Sequence, residues 1–143
     1  MFTSFTDQIQ VDMETGVSME DVTGAIRSLV HRSGVTAGSV HICGIGSTGS
    51  LTTIEYEPGA VEDLRRAINR MAPPDIAYEH EKTWQDGNGH SHVQAAIIGP
   101  SLTLPVKNGD ILSGTWQQVV LINHDNRPRK RRVEICVIGE KQA

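Results

Sequence analysis

Aromatic side chains make up only 4% of this 143-residue chain, with two each of Phe, Tyr and Trp. Its core must therefore be aliphatic, packed by Val, Ile and Leu, and there are few rings on which nucleic-acid bases could stack. Positive charge is also short. Thirteen Lys and Arg face seventeen Asp and Glu, a formal net charge of −4, which argues against a nucleic-acid binder working by bulk electrostatics. The two cysteines, Cys43 and Cys136, lie inside the apolar runs Val40-His41-Ile42-Cys43 and Val133-Glu134-Ile135-Cys136. Buried, unpaired thiols are expected there, ahead of a disulfide. No apolar run approaches membrane-spanning length, and Met1-Phe2-Thr3-Ser4-Phe5-Thr6-Asp7 turns polar at once, without a basic apolar leader. The expectation is a cytoplasmic protein with no membrane partner. Internal repeats and low-complexity linkers are missing too, so residues 1–143 read as one domain, large enough to bury a core unaided.

What is present is a patterned chain with frequent turn signals. Phe5, Asp7, Ile9 and Val11 alternate with polar neighbours, as in a half-buried strand. Ser18-Met19-Glu20-Asp21 reads as a capped helix start, followed by Val22, Ile26, Leu29 and Val30 on one stripe and a stop at Gly34. Ser39–Cys43 and Leu51–Tyr56 read as strands around a glycine-rich turn. A second helix is expected over 60–71, with Val61, Leu64, Ile68 and Met71 inward, ended by Pro73-Pro74. After a polar loop over 75–89, strands are expected at His90–Ile98, Ser101–Val106, Ile111–Asn123 (bent or broken) and Arg131–Ile138. Asn108-Gly109 marks a hairpin turn. Two main helices early and strands late, without regular alternation, predict an α+β domain with mixed, mainly antiparallel sheet.

Three of the six histidines crowd one stretch: His80 in Tyr78-Glu79-His80, then His90 and His92 in Gly87-Asn88-Gly89-His90-Ser91-His92. If a strand begins at His90, its pleat points both imidazoles to one face about 7 Å apart. With His80 from the loop, that is the start of a metal site; the same residues also suit a solvated polar loop. Gly44-Ile45-Gly46-Ser47-Thr48-Gly49 matches G-x-G-x-x-G, but β-branched, strand-like residues follow it and not a helix, which excludes a dinucleotide fold. Its amides and the Ser47 and Thr48 hydroxyls suit a phosphate or simply a tight turn. Glu55 and Glu57 would share a strand face, as paired ligands or an acid and base, or as exposed residues at a strand end. Arg127, Arg129, Lys130, Arg131 and Arg132 form the one dense basic cluster. On a strand Arg131 and Arg132 point opposite ways, so they cannot all serve one anion, and charged residues also blunt exposed strand edges. Trp116, in Gly114-Thr115-Trp116-Gln117, is expected to anchor a core or an interface.

Taken in order, several short pieces resemble the YjbQ-like family, also called secondary thiamine-phosphate synthases. They are Ser50-Leu51-Thr52 with Glu55, Tyr78-Glu79-His80, Ser91-His92, Pro100-Ser101-Leu102, Leu104-Pro105-Val106, Gly114-Thr115-Trp116-Gln117, Arg131-Arg132 and Gly139-Glu140. The resemblance spans nearly the whole chain. It implies an α+β fold that forms a homotrimer, with a pocket at subunit contacts and a metal and phosphate-like anions near the histidines. It also implies a weak thiamine-phosphate synthase activity. The chain departs from a common family pattern where glycine, Gly46, stands in place of a histidine, where Ile54 and Tyr56 replace asparagines, and where Asn123 replaces an acid. By spacing, His90 is the histidine that would take over as a ligand.

Three functions follow as expectations. The first is a metal-assisted transferase on a phosphorylated small molecule. Here His80, His90 and His92 hold a divalent ion, zinc by ligand type, with magnesium as the ion a diphosphate substrate would bring. Ser47, Thr48, Gly49, Arg131 and Arg132 bind the phosphate end, and Glu55, His80 and His92 are the candidate catalytic side chains. Loss of pyrophosphate from a pyrimidinylmethyl diphosphate calls mainly for cations and amides around the leaving group. The second is a non-catalytic trimer tied by its metal. The third, a nucleic-acid module using Arg127–Arg132, is opposed by the charge balance.

Overall fold

The structure, a computed structural model, describes residues 1–142. Strand β1 (Phe2–Met13) keeps the predicted alternation, with Phe5, Ile9 and Val11 half-buried between exposed Thr6, Gln8 and Gln10. It pairs antiparallel with β8 (Arg129–Lys141), Ile9 opposite Val133, and Val133, Ile135 and Val137 of β8 are buried. On the other side of β8 lies β3 (Val35–Ile45), then β5 (Ser101–Lys107) and β6 (Asp110–Ile111), completing a five-stranded sheet in the order β1-β8-β3-β5-β6. The β5–β6 hairpin turns through Asn108 (φ 53°) and Gly109 (φ 78°), both left-handed, as an Asn-Gly turn requires. Where β3 meets β8, Gly38 faces Gly139, and a Cβ on either would collide with backbone of the opposite strand.

The second sheet has three strands, β2 (Ser18–Asp21), β7 (Gln118–Asn123) and β4 (Gly49–Ile54), with β7 in the middle. Both faces of β7 are covered. Val119 and Leu121 join the main core with Leu51, Val40, Ile42 and Ile135, while Val120 and Ile122 join Val17, Met19 and Ile68 under two helices. This is why Val119-Val120-Leu121-Ile122 is continuously apolar: a period of two cannot appear on a strand buried on both sides.

Three helices close the domain, one more than the pattern predicted. Helix α1 (Thr23–Ser33) buries Ile26, Leu29 and Val30 and ends at Gly34, whose φ of 73° is the left-handed cap expected of a glycine stop. Its start differs from expectation: Ser18–Asp21 is strand β2, and the helix begins at Thr23, whose amide donates to Asp21 Oδ1 at 2.9 Å, while Val22 before it has no capping side chain. Helix α2 (Pro58–Met71) is capped by Glu57, whose carboxylate accepts from the amides of Gly59 (2.8 Å) and Ala60 (2.7 Å). Of its predicted inward stripe Ile68 is buried, Val61 and Leu64 are half-buried, and Met71 is exposed.

Helix α3 (Gly89–Ile98) replaces the strand expected at His90–Ile98. Its Gln94, Ala95 and Ser91 face inward while Val93, Ala96 and Ile97 face outward, a spacing of three and four and not of two. The expected Ile111–Asn123 strand is broken, with β6 ending at Ile111 and β7 starting at Gln118. Cys43 and Cys136 are free thiols, but half-buried and not fully enclosed. No helix among the described residues is long and apolar enough to cross a membrane.

Candidate functional site

His80 lies in a short 3-10 turn (Glu79–Lys82) and His92 in the first turn of α3. The structure brings their rings together, centroids 4.5 Å apart and tilted by 39°. His80 Nδ1 faces Asp86 Oδ1 at 3.4 Å and Glu81 Oε1 at 3.7 Å. One ligand atom from each of His80, Glu81 and Asp86 falls within 4.8 Å of the others. Nδ1 is buried and makes no hydrogen bond. A ring nitrogen enclosed beside two carboxylates, too far for a good hydrogen bond, fits a shared cation, and the mixed N/O donor set suits a borderline divalent ion such as zinc. Glu81 has a second task. Its oxygens accept from the amides of Gly87 (2.7 Å) and Gly89 (2.8 Å), which pins the loop to the start of α3 and holds the carboxyl below its ordinary range.

His90 is parted from this group. On a helix, residues two apart point about 200° around the axis from each other, so His92 meets His80 while His90 is buried on another side, near Tyr78 and Ser91. The geometry that placed both rings on one face required a strand, and the strand is not there.

Behind the His80–Glu81–Asp86 group, the far end of the β4–β7 ladder carries a buried polar cluster. Asp125 is fully buried and accepts from Thr48 Oγ1 (3.0 Å), Asn88 Nδ2 (3.0 Å) and Arg129 Nε (2.9 Å). Burial alone would raise its pKa; the Asn88, Thr48 and Arg129 donors outweigh burial and hold it low. Arg131 Nη2 donates to Thr48 Oγ1 (2.6 Å) and Asn123 Oδ1 (2.7 Å), and its buried Nε has no partner. The glycine turn lies against this guanidinium: a Cβ at Gly46 would come 2.8 Å from Nη1, and one at Gly49 3.2 Å from Nε and Cζ. Thr48, Gly49 and Arg131 are thus assembled as a possible anion cradle, with Ser47 exposed on the same turn. Arg132 is not part of it; it is exposed on the other strand face and pairs with Glu134 at 3.4 Å.

The cluster includes a histidine that the sequence pattern did not single out. His124 is 1% exposed and hydrogen-bonds through Nε2 to Ser50 Oγ (2.8 Å) and through Nδ1 to Gln94 Oε1 (2.9 Å). A backbone carbonyl fixes every proton in this chain of bonds. The Ala72 carbonyl accepts from Gln94 Nε2 (2.9 Å), so Gln94 Oε1 must face the ring, Nδ1 must carry the hydrogen, and Ser50 must donate to Nε2. Burial, aided by the Arg131 and His90 charges, lowers the His124 pKa to about 4. Ser91 closes the cluster, its one hydroxyl hydrogen shared between two acceptors, Asn88 Oδ1 (2.7 Å) and the His124 carbonyl (2.6 Å). The sequence signal for these residues is Asn123-His124-Asp125, three polar residues directly ending an apolar strand.

Glu55 is exposed beyond the end of β4 and, with Asp21, Tyr56, Glu57, Thr115 and Trp116, lines an open acidic cleft of about 480 Å³. Glu57 does not share a strand face with it, because β4 stops at Ile54 and Glu57 caps α2. Trp116 is 73% exposed in this chain, not a core anchor.

A family model described as UPF0047 protein YjbQ-like matches residues 7–140. A UPF0047 protein of Methanothermobacter thermautotrophicus is 29% identical over 136 residues, 95% of this chain and 93% of that protein. One from Mycobacterium tuberculosis is 34% identical over 133 residues, covering 90% and 95%. Among solved structures, a YbjQ-like protein of Sulfolobus solfataricus superposes with a TM-score of 0.93 at 27% identity, over 98% of this chain and all of that one. A hypothetical protein of Aeropyrum pernix gives 0.88 at 29% identity, over 95% and 99%.

Proposed function

The chain belongs to the UPF0047 YjbQ-like family, and from that premise we propose that it is a divalent-metal protein acting on a small phosphorylated molecule. The observation that carries this reading is His80 Nδ1, enclosed without a hydrogen-bond partner beside Glu81, Asp86 and the His92 ring. His80, Glu81 and Asp86 would hold the ion, with the His92 ring beside them; bound there, it would supply positive charge to a leaving phosphate. The chain's own contribution is a second positive site. Arg131, held by Thr48 and Asn123, offers an unpaired Nε to an anion at the glycine turn, and Thr48 and the turn amides would orient it.

A thiamine-phosphate synthase reaction would fit such a site. It transfers a pyrimidinylmethyl group from its diphosphate to the nitrogen of a thiazole phosphate, releasing pyrophosphate. Elemental analysis of the purified protein should find close to one zinc per chain, falling to background in His80→Ala. Metal-loaded protein that forms no thiamine phosphate above background removes that substrate but leaves the metal reading intact.

The expected homotrimer is part of the same proposal. It is supported by apolar residues left in solvent on α3 and the loops: Val93 (39%), Ile97 (56%), Leu112 (53%) and Trp116 (73%). Analytical ultracentrifugation should give three chains per particle; a monomer at micromolar concentration refutes it. If His80→Ala removes both metal and assembly, the ion is a structural tie and not a catalyst.

A further inference from the structure

Two strand edges, one from each sheet, face a single groove. It has a volume of about 340 Å³ and lies between Leu51–Thr53 of β4 and Ser101–Leu104 of β5, with Ile98 and Gln117 completing its lining. Leu51 and Leu104, at 2% and 9% exposure, belong to the main core, so the groove opens onto the aliphatic interior. None of its lining residues is Asp, Glu, Lys, Arg or His.

Both edges are unpaired here. The Gly44 amide donates to the Pro100 carbonyl (2.8 Å) and the Leu112 amide to the Pro105 carbonyl (2.9 Å). Bonding directions alternate along an antiparallel ladder, so Leu102 and Leu104 bond to β3 while Ser101, Thr103 and Pro105 turn outward. Strand β6 and Leu112 cover this edge only as far as Pro105. On β4, the Leu51 amide donates to the Gly99 carbonyl (3.1 Å), away from β7. Val119, opposite Thr53, directs its amide to Thr23 Oγ1 (2.8 Å) and its carbonyl to the Val22 amide (2.9 Å). Thr53 therefore also turns its backbone groups away from β7. Among the described residues, no hydrogen bond outside the ladders reaches the backbone groups of Thr53, Ser101 or Thr103. Free edges of this kind pair readily with an added strand.

We propose that this groove takes the Leu112–Trp116 segment of a second copy of the chain. The segment's backbone pairs with the free edge of β5, and its Leu112 and Trp116 side chains cover the groove and the outward face of α3. An uncharged groove opening onto a core disfavours a charged segment, which would lose its hydration without gaining a partner. Among the described residues, 112–117 is the one connection of five or more residues without a charged side chain. It also carries two of the large apolar side chains left in solvent, Leu112 and Trp116. Gln117 Nε2 donates to Thr53 Oγ1 at 3.2 Å, so loop and groove are neighbours on one chain. A loop that enters the groove of the next copy makes a head-to-tail contact, which closes into a ring under a three-fold rotation. The interface rests on the homotrimer proposed above and names the surfaces that form it.

Thr103→Pro removes the outward amide hydrogen and leaves the β3 ladder intact, and Pro105 already occupies an outward position on the same edge. Analytical ultracentrifugation at roughly 10 µM should find trimers of the unaltered protein and of Thr103→Val, which keeps the amide. Thr103→Pro should sediment as single chains with its circular dichroism retained. Trp116→Ala tests the occupant and should weaken association at least about tenfold. Trimeric Thr103→Pro, dissociated Thr103→Val, or undiminished association of Trp116→Ala overturns this interface and leaves the trimer standing. A monomeric unaltered protein removes both. Hydrogen exchange on the unaltered protein decides even if a variant fails to fold. The Ser101 and Thr103 amides should exchange at least about tenfold more slowly in the trimer than an unpaired strand edge allows; free exchange there overturns the pairing.

Discussion

Acidification should destabilise this fold chiefly through one ring, His124. An ordinary imidazole takes its proton near 6.5, whereas burial and the neighbouring Arg131 and His90 charges lower His124 to about 4 in the native state. Between those values the unfolded chain binds a proton that the folded chain refuses, so stability must fall as the pH falls. The contribution is fully present above about pH 6.5, declines below it, and is fully lost once the pH passes below about 4. A gap of that width is worth about 3 kcal/mol, a large share of the total stability of an ordinary domain. His90, also lowered, adds in the same direction. Asp125 acts in a lower window, because its depressed carboxyl costs stability only as the pH drops below its ordinary value of 3.8. Urea denaturation at a series of pH values between 7 and 4 reads the slope, and ring NMR identifies the group. His124→Gln should be less stable at pH 7 and show a flatter pH dependence. A His124 ring that titrates near 6.5, or a stability that stays level between pH 6.5 and 4, would refute the reasoning.

Ser91→Ala removes the one buried hydroxyl hydrogen shared by Asn88 Oδ1 and the His124 carbonyl, and should cost about 1–3 kcal/mol in urea melts; a neutral result would mean that the cluster relaxes without it. Gly38→Ala puts a methyl into the backbone of β8 and should cost at least about 2 kcal/mol or prevent folding; full native stability would show that β3 and β8 are farther apart than described. Zinc at 100 times its dissociation constant should stabilise the wild type by about 2.7 kcal/mol and His80→Ala by nothing measurable, as read by denaturant midpoints. Equal stabilisation of the two proteins would move the metal elsewhere.

Much of the fold could be read from residues whose local chemistry and tertiary environment agree. Gly34 ends α1, Asn108-Gly109 turns β5 into β6, and β1 alternates as a strand with one covered face should. The failures have physical causes. In His90–Ile98 the apolar residues Val93 and Ile97 point outward, while Gln94 and Ser91, both polar, face the interior, so hydrophobic periodicity gave the wrong element. Ser18 looked like a helix cap because its hydroxyl suits one; it bonds instead to the Glu14 carbonyl at 2.7 Å, before strand β2. In the candidate site, His80 and His92 were visible by residue type and family resemblance, and the structure places them together. Glu81 and Asp86 were hidden among many surface carboxylates. His124 was hidden because its role depends on contacts with Ser50 and Gln94, 74 and 30 residues away in the chain.

The two tryptophans, Trp84 and Trp116, are 69% and 73% exposed. The intrinsic fluorescence of a lone chain should therefore resemble that of indole in water, and unfolding should change its emission wavelength little. That makes emission a poor gauge of the aliphatic interior and a sensitive gauge of whatever comes to lie over those rings. A blue shift that grows with protein concentration would report self-association directly, without an added label.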